Sequence, residues 1–209
     1  MEQVLFILTI LGIHLLAVAS PGPDFVVAVR NSLNFGRRAG VFTAAGFGLG
    51  IGVHLIYCFF GVALLISQSP VLFNVIKMLG AIYLLYIAYQ IYIHRDGFSG
   101  KNLQDAGGQE KKMGDFAAFK SGFMTNVLNP KATLFFLGLF STAIPVDTDF
   151  KILLVIGFFL MFNTFLWFAF VANVFTKEKS LQIFVKYAKY INIGLAVLLT
   201  ALSIKILLF

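Results

Sequence analysis

The chain has 209 residues, of which 59% are hydrophobic and only 12% charged, and its mean hydropathy is +0.91. Water-soluble domains carry about 25% charged residues, so this composition excludes a soluble domain and makes lipid the solvent. The net charge of +7 lies at the ends of apolar blocks, where it acts as a topology signal and excludes a nucleic-acid partner.

Six blocks are long enough to span a bilayer core of about 30 Å, which takes about 20 helical residues. They are residues 4–30, 39–66, 71–93, 116–144, 152–175 and 190–208. The expected fold class is therefore an all-α integral membrane protein of six transmembrane helices. In the first block, Ala17-Val18-Ala19 resembles a signal-peptidase site. Glu2 stands where such a signal carries Lys or Arg, and Pro21 and Pro23 follow at once, so no cleavage is expected. The same block holds His14 and then Ser20-Pro21-Gly22-Pro23-Asp24. Two prolines remove two backbone donors and clash with the preceding turn, so the helix must break there. Broken backbone at membrane depth is tolerated only against protein or a watery cavity.

Gly36-Arg37-Arg38-Ala39-Gly40 reads as a turn with a cytoplasmic charge clamp, without the lysine and spacing of a nucleotide loop. The second block has no Asp, Glu, Lys or Arg between Ala39 and Ile76 and carries glycines at 40, 46, 48, 50 and 52. Such a small-residue face lets backbones approach, and the expected partner is the broken first block, with homodimerisation as the competing use. His54 lies near Tyr57, and Cys58, the one cysteine, sits in an apolar run, so there is no intramolecular disulfide and no Cys-rich metal site. Ser67-Gln68-Ser69-Pro70 is a turn from which Pro70 opens the third block. That block ends with Gln90 and with Tyr83, Tyr86, Tyr89 and Tyr92 at three-residue spacing, read equally as interfacial anchors or as a substrate wall.

Residues 94–115, glycine-rich and of mixed charge, form a loop expected in the cytoplasm. It joins halves 1–93 and 116–209 of a single transporter domain, 1–209. The fourth block holds Asn126-Val127-Leu128-Asn129-Pro130-Lys131, a second break with a charge beside it. Asn163 and Asn173 in the fifth block are suited to bonds across helices.

Twelve Lys and Arg fall in alternate connections, three in the others, and Lys131 inside a block. Both termini are therefore expected outside. Asp24 lies six residues before Arg30, about 9 Å deep, and Lys131 lies eleven residues after Lys120, about 16 Å deep from the same side. Breaks at similar depth in the first and fourth of six helices suit a 3+3 inverted repeat with its binding site where the breaks meet.

Pro23 and Pro130 suit the first turn of a new helix, with Asn129 as cap, and helix-end amides beyond them suit an anion. Asp24 suits an ammonium and Lys131 a carboxylate, so the set fits a zwitterion. The plainer alternative is a structural Asp24–Lys131 ion pair. His14 and His54 are candidates for proton relay, although an intramembrane histidine more often only satisfies a neighbouring carbonyl.

The Ser20–Asp24 element, the Gly36–Gly40 cluster, the glycine-rich second block and Asn129-Pro130-Lys131 resemble the LysE/RhtB family of amino-acid exporters over essentially the whole chain. That resemblance implies a bacterial inner-membrane protein driving amino-acid export with protons. It places Pro21, Gly22, Pro23, Asp24, Asn129, Pro130 and Lys131 at the family's motif positions. The branch exporting threonine, homoserine or homoserine lactone looks nearest. The expected partners are an amino acid, a proton and the lipid bilayer, with no cofactor and no metal. Two other classes compete: a membrane-embedded enzyme, which needs a convergent His/Asp/Glu or Ser/His set, and a channel or non-transporting subunit.

Overall fold

The computed structural model describes residues 2–68, 70–93, 113–145, 148–174 and 178–208. These form seven helices: α1 (Glu2–Ala19), α2 (Pro23–Gln68), α3 (Pro70–Ile93), α4 (Asp115–Val127), α5 (Pro130–Thr142), α6 (Phe150–Val174) and α7 (Glu178–Leu208). Most of the 94–115 loop, residues 94–112, lies outside the described residues, as does Ser69 of the polar turn.

The expected six transmembrane helices are not what the backbone forms. Among the described residues, two stretches are long and apolar enough to cross a membrane, Pro23–Gly61 and Phe150–Val174. The other apolar helices, Gln3–Ala19, Met78–Ile93 and Pro130–Phe140, have 10–17 residues. The reason lies in the breaks. The block at 116–144 is cut into two 13-residue helices, α4 and α5, and 13 residues rise only about 20 Å, short of a bilayer core of about 30 Å. The block at 4–30 is cut at residues 20–22, and its second part continues as α2 into the next block. The 3+3 repeat presupposed six crossings and falls with them. The last helix also begins at Glu178, twelve residues before its apolar block.

Gly36 is where α2 bends. Its φ of 84° and ψ of 170° interrupt the helical backbone, a conformation open to glycine and strained for residues with a Cβ. The expected turn thus falls where two helical stretches of α2 meet at Gly36.

Helix α2 packs along α4 and α6, while α3 packs on α7 and α5. The glycine face meets a partner other than the expected one. A Cβ on Gly46 would strike the Phe119 carbonyl, and one on Gly122 would strike the Thr43 carbonyl, so the two backbones of α2 and α4 touch. Gly48 faces Met161 and Phe165 of α6. Two buried apolar clusters result, one around Ile51, Phe136, Leu139 and Leu160, the other around Phe25, Phe47, Phe168 and Val171. On α6, Phe158, Phe159, Phe162, Leu166 and Phe170 are exposed, an apolar flank that water would not tolerate and lipid does.

Candidate functional site

Both breaks are built from the residues that caused them. Helix α1 closes with the Ser20 amide donating to the Leu16 carbonyl, and Pro23 then opens α2, with the Val26 amide donating to the Gly22 carbonyl at 3.0 Å. Asp24 falls in the first turn of α2, where a carboxylate complements the helix dipole. Helix α4 ends at Val127, and the Asn129 amide folds back onto the Asn126 carbonyl at 3.0 Å. Asn129 caps α5 by accepting from the Lys131 amide at 3.0 Å, and Pro130 takes the first helical position.

The two breaks meet. Asp24 is 9% exposed, and its carboxylate accepts from Asn126 Nδ2 at 2.7 Å and from Asn129 Nδ2 at 3.0 Å. The Lys131 ammonium donates to the Ser20 carbonyl at 2.9 Å. Among the described residues, no direct salt-bridge contact joins Lys131 to Asp24. Ser20, Gly22, Asp24, Asn126, Asn129 and Lys131 line one side of a cavity of about 40 Å³. Ile51, Phe135, Phe136, Phe168 and the ring of His14 complete it, drawn from both apolar clusters. A water needs about 10–15 Å³ of such space, so the cavity holds a few waters and no amino acid in this conformation.

Buried Asn126 has a divided role. Its amide nitrogen holds Asp24, while its side-chain oxygen is buried with no partner. A buried acceptor left without a donor costs roughly 1–3 kcal/mol, and here it stands beside a carboxylate in a cavity wall.

The helix-end amides expected to take an anion are partly used internally. Asn129's own side chain takes the Lys131 amide, and the Thr133 amide donates to the Asn129 carbonyl. The cation available to an anion is the Lys131 ammonium.

The two histidines flank Phe136. His54 stacks on it with centroids 5.5 Å apart, and His14 tilts against it at 5.6 Å. His54 Nε2 lies 3.1 Å from the Asn126 carbonyl, and Nδ1 lies 2.7 Å from the Tyr57 hydroxyl. A carbonyl only accepts, so Nε2 carries the proton in the neutral ring and Nδ1 accepts from Tyr57. His14 Nδ1 faces the Asn163 amide at 3.3 Å and Nε2 faces the Thr164 hydroxyl at 3.4 Å. Neither ring bonds Asp24, but His54 holds the carbonyl of the residue whose amide does.

Asp24, Gly22, Asn129, Lys131 and His14 therefore line one cavity, with Pro23 opening the helix that bears Asp24. Pro21, Pro130 and Lys131 line a second, larger one, and His54 stands a residue behind the first. Sequence reasoning assigned no role to Asn126, to the Ser20 carbonyl, to Phe136 or to Asn192, whose side-chain oxygen accepts from Ser20 Oγ at 2.8 Å. For Asn126 a signal existed: it is a second amide side chain at the same break, three residues before Asn129.

A family model described as LysE type translocator matches residues 15–208. The uncharacterized membrane protein YrhP of Bacillus subtilis is 26% identical over 206 residues, 95% of this chain and 97% of that one. A leucine efflux protein of Klebsiella pneumoniae is 35% identical over 131 residues, 61% of this chain and 58% of its own. A second leucine efflux protein, from Salmonella choleraesuis, is 33% identical over 129 residues, covering 62% of this chain and 58% of that one. No solved structure matches the chain.

Proposed function

The chain belongs to the LysE type translocators, and on that premise we propose a proton-coupled exporter of a small zwitterionic amino acid with an aliphatic side chain. Its general class follows from the family: a multi-pass inner-membrane amino-acid efflux transporter, and so a carrier rather than an enzyme. The observation supporting the finer reading is that Asp24 and Lys131 line one buried cavity without pairing with each other. A buried charge persists only when partnered or wetted. The substrate ammonium fits Asp24, and the carboxylate fits Lys131.

The remaining wall is mostly apolar, including Phe25, Ile51, Phe135, Phe136 and Phe168. It offers a hydrocarbon chain more contact than the hydroxyl of threonine or homoserine, and two relatives are named for leucine. An aliphatic substrate is therefore preferred over the threonine-like one of the branch that looks nearest in the family resemblance. The cavity must widen to admit it, and the helix ends at 20–22 and 128–129 are where the backbone can part.

Asp24 is the proposed proton carrier, with His54 next on the path. A second proton on His54 Nδ1 would turn the Tyr57 hydroxyl onto the Thr133 carbonyl, 3.3 Å away, without moving a heavy atom. His14, tied to α6 at both nitrogens, is the weaker relay.

The test is flux in proteoliposomes loaded with radiolabelled leucine or threonine, with and without an imposed pH gradient. Saturable leucine flux that rises with the gradient and exceeds threonine flux is expected. Unsaturable conductance favours a channel, indifference to the gradient removes proton coupling, and faster threonine flux removes the aliphatic preference.

A further inference from the structure

Beside the inner cavity lies a cleft of about 300 Å³ between α3, α5 and α7. Two residues belong to both spaces, Ser20 and Lys131, and they are joined by the ammonium-to-carbonyl bond of 2.9 Å. That hydrogen bond therefore lies on the wall common to the two spaces. Its carbonyl sits at the end of α1 before the irregular residues 21–22, and the Ser20 hydroxyl anchors that corner to Asn192 on α7.

The geometry points to a second amino-acid subsite in this outer cleft, in which a bound zwitterion opens the Lys131–Ser20 latch by taking over both of its ends. The proposal rests on the exporter reading and adds a staging site and a gate to it. The cleft volume reaches the low end of small-molecule pockets, about 300–1,000 Å³, whereas the inner cavity is far too small for an amino acid. Its walls divide as such a ligand requires: Ile87, Ile91 and Leu134 are apolar, while Lys131, Gln90 and Asn192 are polar.

The latch chemistry selects the ligand. A carboxylate makes a charge-assisted bond to the ammonium, roughly twice as strong as a neutral one, so it can draw Lys131 from the Ser20 carbonyl. That carbonyl then needs a donor, because a buried acceptor left alone is costly. A ligand carrying both carboxylate and ammonium supplies the two partners together. A plain acid leaves the carbonyl unpaired, and a plain amine leaves the lysine where it was. Only the zwitterion exchanges one satisfied arrangement for another, and the wall between the two spaces parts as it does so.

The test reads the cleft separately from transport. The full chain carrying Cys58→Ala and Gln90→Cys is purified, and the rate of N-ethylmaleimide alkylation is followed with leucine, with its amine half (isoamylamine) and with its acid half (isocaproate). Leucine is expected to slow alkylation about tenfold near ten times its dissociation constant, and neither half alone to do so. Protection should survive Asp24→Asn, which disables the inner cavity, and Lys131→Arg, but vanish with Lys131→Met. Leu134→Trp fills the cleft with Lys131 in place and should also remove protection. Four results overturn the inference: leucine flux without protection, equal protection by either half, loss of protection in Asp24→Asn, or full protection in Leu134→Trp. The first leaves the exporter reading standing. Absence of both leucine flux and protection sinks that reading and the inference with it.

Discussion

Asp24 is held by two side-chain amides at the other break, one from the last turn of α4 and one from the cap of α5, and each lends it an N–H. Each carboxylate oxygen accepts one of these amides, so a proton arriving at Asp24 must displace or turn at least one of them. Binding of a proton is thereby tied to the geometry of the α4–α5 junction, which is the requirement for coupling. Asp24→Asn mimics the protonated acid in shape and cannot release a proton. It is expected to abolish pH-driven concentrative efflux while leaving counterflow exchange measurable in the same proteoliposomes, whereas Asp24→Ala loses both. Normal pH-driven efflux in Asp24→Asn would eliminate the residue as proton carrier. Because Lys131 bonds the Ser20 carbonyl and not Asp24, adding Lys131→Met to Asp24→Asn should restore nothing. Restoration would mean that the pair serves only charge balance.

The two helix starts carry the site, and Asn129 shows how one side chain serves both start and site. Its oxygen caps α5 at the Lys131 amide and its nitrogen donates to Asp24. The two roles separate by substitution. Serine keeps a cap at this position but is too short to reach Asp24, whereas alanine removes both contacts. Asn129→Ser should therefore leave thermal stability in detergent nearly unchanged while weakening substrate binding. Asn129→Ala should add a stability loss of about 0.5–2 kcal/mol. Equal binding by the serine variant and the native chain would detach Asn129 from the site. The breaks themselves were legible, because proline and glycine act through local backbone geometry, and the structure ends helices at Ala19 and Val127 and reopens them at Pro23 and Pro130. The number of crossings was not legible, since hydropathy counts apolar residues and is blind to the breaks that divide them. Nor was the partner of the glycine face: periodicity shows that Gly46 lies on a small-residue face, but not that Phe119 and Gly122, over seventy residues on, will fill it. Asn192 escaped for the same reason, standing 172 residues from the Ser20 hydroxyl it accepts from.

At the scale of the whole molecule, sidedness follows from which basic segments share an end. Arg38, just past the Gly36 kink, reaches Asp115 at the start of α4 in a two-pronged bridge, Nε to Oδ1 at 2.9 Å and Nη2 to Oδ2 at 2.6 Å. The Arg38 guanidinium holds the Asp115 carboxyl below its ordinary value of 3.8, so the bridge is intact throughout the neutral range and weakens only as pH falls below that value. It ties Arg30, Arg37 and Arg38 to the end of the basic 94–115 segment. The Arg30–Arg38 stretch thus meets the start of α4, which follows the basic 94–112 stretch in sequence, as retention of Lys and Arg on the cytoplasmic side requires. We propose that this end faces the cytoplasm and that the N-terminus faces outward. In a Cys58→Ala background, Gly114→Cys and Gln3→Cys place single thiols at two exposed positions, one beside the bridge and one near the start of α1. A membrane-impermeant maleimide applied to spheroplasts should label Gln3→Cys and spare Gly114→Cys, and inverted vesicles should give the opposite pattern. The reverse labelling would turn the carrier over, and labelling of both thiols from one side would place the start of α1 at the same end as the bridge. With the proposed orientation, the α3 wall of the outer cleft runs from Tyr83 to Ile91, just before α3 ends at Ile93 and the basic segment begins. The cleft would then open toward the compartment from which an exporter collects its substrate.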